Sequence, residues 1–150
     1  MKINSVFKLS LPILFAILAS CGPTDNNEPA GIISLEGTSW QLVQIQAVGG
    51  FSFVPEDPTL YTLSFGSEGR LTGKSDCNKI VGAWSQNATE LSFDPFSASR
   101  SLCPFGSLHN HFFSNLNGVQ ALDTLDSHLL LSTHIEGVLL EFEPLDTGDA

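Results

Sequence analysis

The chain has 150 residues, six basic and sixteen acidic side chains, and a formal charge of −10. Its 42% apolar content is enough for one hydrophobic core, which excludes whole-chain disorder, and the length suits one domain or two very small ones. So few Lys and Arg exclude a nucleic-acid partner, because phosphate binding needs clustered cations.

Lys2 and Lys8 flank the start of an almost wholly apolar run, Leu9 to Ala19, broken by Ser10 and Pro12; the first acid is Asp25. The run is roughly half of the about 20 residues that a membrane-spanning helix needs. Positive charge, a short apolar run and then small residues form the pattern of a secretory signal peptide over residues 1–20. A buried core helix is the alternative. The segment ends in Leu18-Ala19-Ser20-Cys21, which resembles the bacterial lipoprotein signal at each position. The resemblance implies cleavage before Cys21 and lipidation of its sulfur. Two or three acyl chains, at about 0.8 kcal/mol per buried methylene, hold a protein on a membrane where one chain is marginal. A plain secretory signal cleaved nearby is the competing reading. Gly22, rather than an aspartate, follows the cysteine, which by resemblance to the usual sorting pattern implies the outer membrane of a bacterial cell envelope. Loss of residues 1–20 leaves Arg70, Lys74, Lys79 and Arg100 against sixteen acids, a side-chain charge near −12.

Residues 21–34 are rich in Pro, Gly, Asn and acids without apolar period, and read as a flexible tether. One domain follows over residues 35–145, with a short tail at 146–150. Its dominant period is two. Trp40 and Leu42, then Tyr61, Leu63 and Phe65, then Leu91 and Phe93, then Leu129 and Leu131, then Leu140 and Phe142 alternate with polar residues. That alternation predicts antiparallel strands with one buried face. Gly66-Ser67-Glu68-Gly69, Gln86-Asn87-Ala88-Thr89 and Glu136-Gly137 supply turns, and Pro55 and Pro58 mark a longer loop.

From Ser107 to Leu122 the period changes. Leu108, Phe112, Leu116, Val119 and Leu122 are spaced four, four, three and three apart, which predicts one face of a helix with Ser107 as its N-cap. The expected fold is α+β: a mainly antiparallel, strongly bent, barrel-like sheet of about seven strands with one amphipathic helix.

Setting Cys21 aside leaves Cys77 and Cys103, with 25 residues between them. In an exported protein they are expected to form a disulfide, provided their Cα atoms come within about 7 Å; two buried free thiols are the alternative. The same region carries a family resemblance. Gly37-Thr38-Ser39-Trp40-Gln41-Leu42, Leu63-Ser64-Phe65, Leu71-Thr72-Gly73, Asp76-Cys77-Asn78, Gly82 and Trp84, Leu91-Ser92-Phe93, Cys103 and Leu140-Glu141-Phe142 with Pro144 resemble, in order and spacing, a META/HslJ-type domain. Asp76 departs from the pattern, which usually has glycine before Cys-Asn. The resemblance implies a compact antiparallel β-fold with one helix, often on envelope lipoproteins labelled as heat-inducible or linked to drug tolerance. It brings no catalytic residues. Trp40 and Trp84 are expected to pack in the core.

Four histidines raise the question of a metal. His109 and His111 lie two apart on the predicted helix and point to nearly opposite faces. His128 and His134 share a strand face but lie about 20 Å apart at strand rise. A site joining Cys103 to a histidine would compete with the disulfide. No metal and no cofactor are expected, and solvated surface histidines are. Glu141 and Glu143 share a strand face about 7 Å apart, a separation open to acid–base chemistry, but a solvated outer face explains them. No nucleophile elbow, phosphate loop or His-Glu-x-x-His is present.

The expectation is therefore a non-catalytic, lipid-anchored envelope domain, monomeric, acting in stress or drug tolerance through contacts with an envelope protein partner. Its acidity favours basic partners. The alternative is a carrier of a lipid or small apolar ligand inside the curved sheet, suggested by eleven phenylalanines, among them Phe51, Phe53, Phe105, Phe112 and Phe113. Simple core filling by those rings is the plainer account. A hydrolase using Glu141 or Glu143 ranks third.

Overall fold

The structure, a computed structural model, describes residues 33–145. The expected signal peptide, Cys21 and its lipid, most of the tether and the tail lie outside the described residues. Nine strands form one sheet: β1 (Thr38–Gln46), β2 (Ser52–Phe53), β3 (Thr62–Phe65), β4 (Arg70–Lys74), β5 (Lys79–Asn87), β6 (Glu90–Ala98), β7 (Val119–Leu125), β8 (His128–Thr133) and β9 (Leu139–Pro144). The single α-helix among the described residues, α1 (His109–Leu116), lies between β6 and β7.

Every pairing is antiparallel. Strand β1 pairs with β9 on one edge and with β2 and β3 on the other, so eight strands close into a barrel and the two-residue β2 extends the β3 edge. The count exceeds the seven expected because the spacing at the start of β7 mimics a helix and β2 carries no alternation to read. Closure removes the open sheet edge, and an eight-stranded barrel has an interior just wide enough for side chains to fill. Here Leu42, Ile45, Leu63, Leu71, Ile80, Leu91, Leu129, Leu131, Leu140 and Phe142 fill it, each at most 2% exposed. Phe65, Trp84 and Phe93 pack with them, Trp84 meeting Phe65 edge-on at 5.4 Å. Both tryptophans pack as expected: Trp40 is buried, with its indole donating to Thr38 Oγ1 at 2.7 Å, and Trp84 donates to Gly66 O at 3.1 Å.

The helix is shorter than predicted. Its last turn ends at Asn117, and Gly118 then passes so close to His134 that a Cβ would sit 2.7 Å from the ring Nδ1. Beyond it the chain is extended. A register shift between Val119 and Ala121 inserts an extra residue in β7. The bulge turns Val119 and Leu122, three apart, to the same buried side, which is why they mimic a helical spacing. Ser107 is not the N-cap; Leu108 occupies that position. The Ser107 hydroxyl still accepts from His109 N at 3.1 Å while donating to Asp76 Oδ1 at 2.8 Å.

Strands β6 and β7 pair only at Glu90 and Ala121. The helix closes the barrel above that point. Phe112 goes into the core against Tyr61 (5.6 Å) and Phe142 (6.2 Å), while Phe113 stacks on Phe96 of β6 (4.9 Å). Strand directions divide the connections between two ends. The lead-in at 33–37 and the turns at 66–69, 88–89 and 126–127 lie at one end. Gln86 ties the lead-in down by donating to Ile33 O and accepting from Leu35 N. The connections at 47–51, 54–61, 75–78, 99–108 and 134–138 lie at the other.

Candidate functional site

The sharpest chemistry lies at that second end, where the β4–β5 turn meets the connection into α1. Cys77 and Cys103 are joined, with an S–S distance of 2.00 Å and a Cα separation of 5.1 Å. Of the two readings open for the pair, the bridge is the one observed.

Hydrogen bonds frame the bridge on both sides. The Asn78 side chain is buried. Its Oδ1 accepts from Ser99 Oγ and from Ser101 N, both at 2.8 Å, and its Nδ2 lies 3.3 Å from each sulfur. Buried Ser75 accepts from Asn78 N at 3.1 Å, and its hydroxyl lies 2.8 Å from His109 Nδ1. His109 therefore does not sit as a solvated surface histidine. It is half-buried, stacks on Phe113 at 5.8 Å, and brings a ring nitrogen within 4.8 Å of both sulfurs. Tyr61 completes the corner, its hydroxyl accepting from Leu108 N at 2.9 Å. Burial pushes the Tyr61 phenol above its ordinary 10.0, so it stays neutral. Asp76, the departure from the family pattern, has no positive φ; its carboxylate is used on Ser107 instead.

The other histidines stand apart, as their spacing predicts. His111 stacks on Phe53 at 4.1 Å, and the His134 ring lies against Gly118. His128 Nδ1 bonds Glu141 Oε1 at 2.6 Å on the outer face of the barrel. Glu141 also accepts from Gln44 Nε2, and Glu143 from Gln41 Nε2, each at 2.6 Å. These carboxylates are thus tied into cross-strand bonds rather than merely solvated. The Gln44 bond, followed by His128, holds the Glu141 carboxyl below its ordinary 4.5, so it is a poor proton donor at neutral pH. Because the folded value lies below the unfolded one, the stabilisation is complete above about pH 4.5 and disappears as pH falls through the folded value. A Glu141→Gln variant is accordingly expected to lose less stability than the parent as pH falls below about 4.5 in urea titrations, since it has no carboxyl to protonate there.

Seven large apolar side chains are exposed in connections at the same end: Val48, Phe51, Val54, Leu60, Leu102, Phe105 and Ile135. Phe51 is 71% exposed and Leu102 99%. Core filling therefore accounts for Phe112 but not for Phe51 or Phe105. The sequence flagged those two rings; it missed Ser75, Asn78 and Tyr61. Ser75-Asp76-Cys77-Asn78, a run of small polar residues around a cysteine, was the available signal.

Fold and corner together define a small closed antiparallel barrel, plugged by one helix and clipped by a disulfide at one end. A profile of the META domain matches residues 33–146, and the chain belongs to the META domain family. Its barrel is similar to an NMR structure of a protein from Burkholderia xenovorans, with a TM-score of 0.66, 18% identity, and coverage of 97% of this chain and 99% of that one. It is also similar to a crystal structure of a DUF4847 family protein from Bacteroides vulgatus ATCC 8482, with a TM-score of 0.58, 15% identity, and coverage of 73% and 93%. At such identities the likeness is one of fold. A search of curated proteins found no match.

Proposed function

We propose that this META domain is a lipid-anchored, non-catalytic module of the bacterial envelope, and that it serves stress or drug tolerance by docking a basic protein partner on the end of its barrel remote from the tether. The observation that carries the reading is the set of exposed apolar side chains at that end, Phe51, Val54, Leu102 and Phe105 among them. Single exposed hydrophobics are ordinary, but several gathered in the loops of one end favour a contact surface. The tether joins the lead-in at 33–37, at the opposite end, so a domain standing on Cys21 presents these loops away from its own lipid. A charge near −12 for residues 21–150 supports a basic partner, since it steers cations in and keeps copies of the chain apart.

The carrier alternative needs space along the barrel axis. That axis is occupied by the ten core side chains of the sheet and by Phe112 from the helix. The clefts between β6 and β7 and beside the β3–β4 turn are surface features.

The test uses a photo-crosslinking residue in place of Phe51 or Phe105 in living cells. Both positions are expected to capture one and the same envelope protein of basic charge. The same substitution at Leu125, exposed in the β7–β8 hairpin of the opposite end, is the control and should capture nothing specific. A Cys21→Ser change in the crosslinking chain should release it from the membrane and abolish the adduct. Repeated recovery of no protein from either tip position, with the chain correctly placed, would remove the docking reading.

A further inference from the structure

We infer that reduction converts the Cys77–Cys103 corner into a binding site for a thiophilic closed-shell cation, Cu(I) or Zn(II), held by the two cysteine sulfurs and His109. The sulfurs and one ring nitrogen of His109 already lie within 4.8 Å of one another. Two thiolates and an imidazole are the donor set that soft d10 ions prefer, with distances near 2.3 Å to sulfur and about 2.0–2.1 Å to nitrogen, and a water can fill a fourth position. Only small movements separate the present positions from such a geometry.

The bridge is not the only link between the two segments in the folded state. Asn78 Oδ1 bonds Ser99 Oγ and Ser101 N, Lys79 N donates to Ser99 Oγ at 3.0 Å, and Ser107 bonds Asp76. None of these bonds involves a sulfur atom, so none is broken by opening the bridge itself. They keep both thiols in place, while Ser75 and Phe113 fix the His109 ring. Asn78 Nδ2, placed 3.3 Å from each sulfur, donates toward the charge that a thiolate acquires. The site also has access to solvent. His109 borders a cleft of about 320 Å³ with Phe96, Ser99 and Arg100, and Cys103 is only half-buried.

The reductant is a dithiol. One of its thiolates attacks a cysteine sulfur, the S–S bond breaks, and the other cysteine leaves as thiolate and takes a proton. The second thiol of the reductant then displaces the mixed disulfide and closes its own disulfide. Two electrons and two protons pass to the protein. Metal binding releases the two protons and forms two metal–sulfur bonds and one metal–nitrogen bond.

The experiment uses the full chain carrying Cys21→Ser, so that Cys77 and Cys103 are the only cysteines. Zn(II), and in a separate anaerobic arm Cu(I), is titrated against a chromophoric competitor before and after reduction by a phosphine. One equivalent is expected to bind the reduced chain and none the oxidised chain. His109→Ala is expected to weaken binding by at least the 10–100-fold that loss of an outer-shell partner costs, and to remove the nitrogen scatterer from the X-ray absorption spectrum of the metal. Circular dichroism follows the sheet throughout. Loss of the sheet on reduction, equal binding by the oxidised chain, or unchanged affinity in His109→Ala would each overturn the inference.

Discussion

Replacing Phe112 by alanine is expected to lower stability by about 3–5 kcal/mol, the range for removing a fully buried aromatic ring. The ring is 0% exposed and meets Tyr61 edge-on and Phe142 at a tilt. Three effects add. The apolar surface of the ring is no longer buried, a cavity opens beside Tyr61 and Phe142, and the short helix loses its main attachment. An eight-residue helix is far below the length at which isolated helices persist in water, so α1 depends on this anchor. A total of that size is a large share of the about 5–15 kcal/mol typical of a whole domain, and corresponds to a fall in Tm of roughly 10–20 °C. Denaturant unfolding followed by tryptophan fluorescence measures it. Phe113→Ala is the comparison. Its ring is half-buried and stacks only on Phe96 and His109, so its loss should be clearly smaller. Equal effects at the two positions would show that the helix is held by something other than insertion of Phe112.

Where the strands are regular, sequence period alone reveals their inward faces. Trp40 and Leu42, Leu63 and Phe65, Leu91 and Phe93, Leu129 and Leu131, and Leu140 and Phe142 are all buried as the period-two pattern requires. The pattern fails at bulges. In β7 the bulge between Val119 and Ala121 puts residues three apart on one side, and the chain reads there as helix. Strand β1 contains the same device between Leu42 and Gln44, which turns Ile45 inward instead of Gln44. A bulge is set by pairing with a distant strand, so no local window can contain its cause. The site divides in the same manner. The pairing of Cys77 with Cys103 is open to sequence reasoning, because setting Cys21 aside leaves two cysteines and one possible bridge. The place of His109 beside them is not. Reading the helix as starting near Ser107 gave the right face for Phe112, yet only the fold brings Ser75 across 34 positions to the His109 ring. The exposed rings are a third case: a phenylalanine in a loop has no period, so Phe51 and Phe105 look like core until the core is seen to be full without them.

Removing the disulfide has the second large expected effect, a loss of about 3.5 kcal/mol in the double variant Cys77→Ser, Cys103→Ser. The figure comes from loop closure: a bridge spanning a sequence separation of 26 removes that much chain entropy, as free energy at 25 °C, from the unfolded state. Changing both cysteines avoids an unpaired thiol, and the serines keep hydroxyls for Asn78 to donate to. The cost therefore falls almost wholly on the unfolded chain, which becomes more expanded. Two readouts separate this from damage to the fold. The denaturant midpoint should fall while the m-value rises, because a freer unfolded chain exposes more surface. The near-ultraviolet signal of Trp40 and Trp84 should remain, since neither ring touches the corner in the aromatic packing and their indole bonds go to Thr38 and Gly66. A parallel fall in midpoint and m-value, with loss of that signal, would mean that the bridge organises the native corner rather than restraining the unfolded chain. The distinction bears on the cation site. If the hydrogen bonds of Asn78 and Ser107 hold the corner unaided, the reduced chain keeps its two sulfurs beside His109, and the stability lost on opening the bridge is what a bound metal ion can restore by binding the folded state alone.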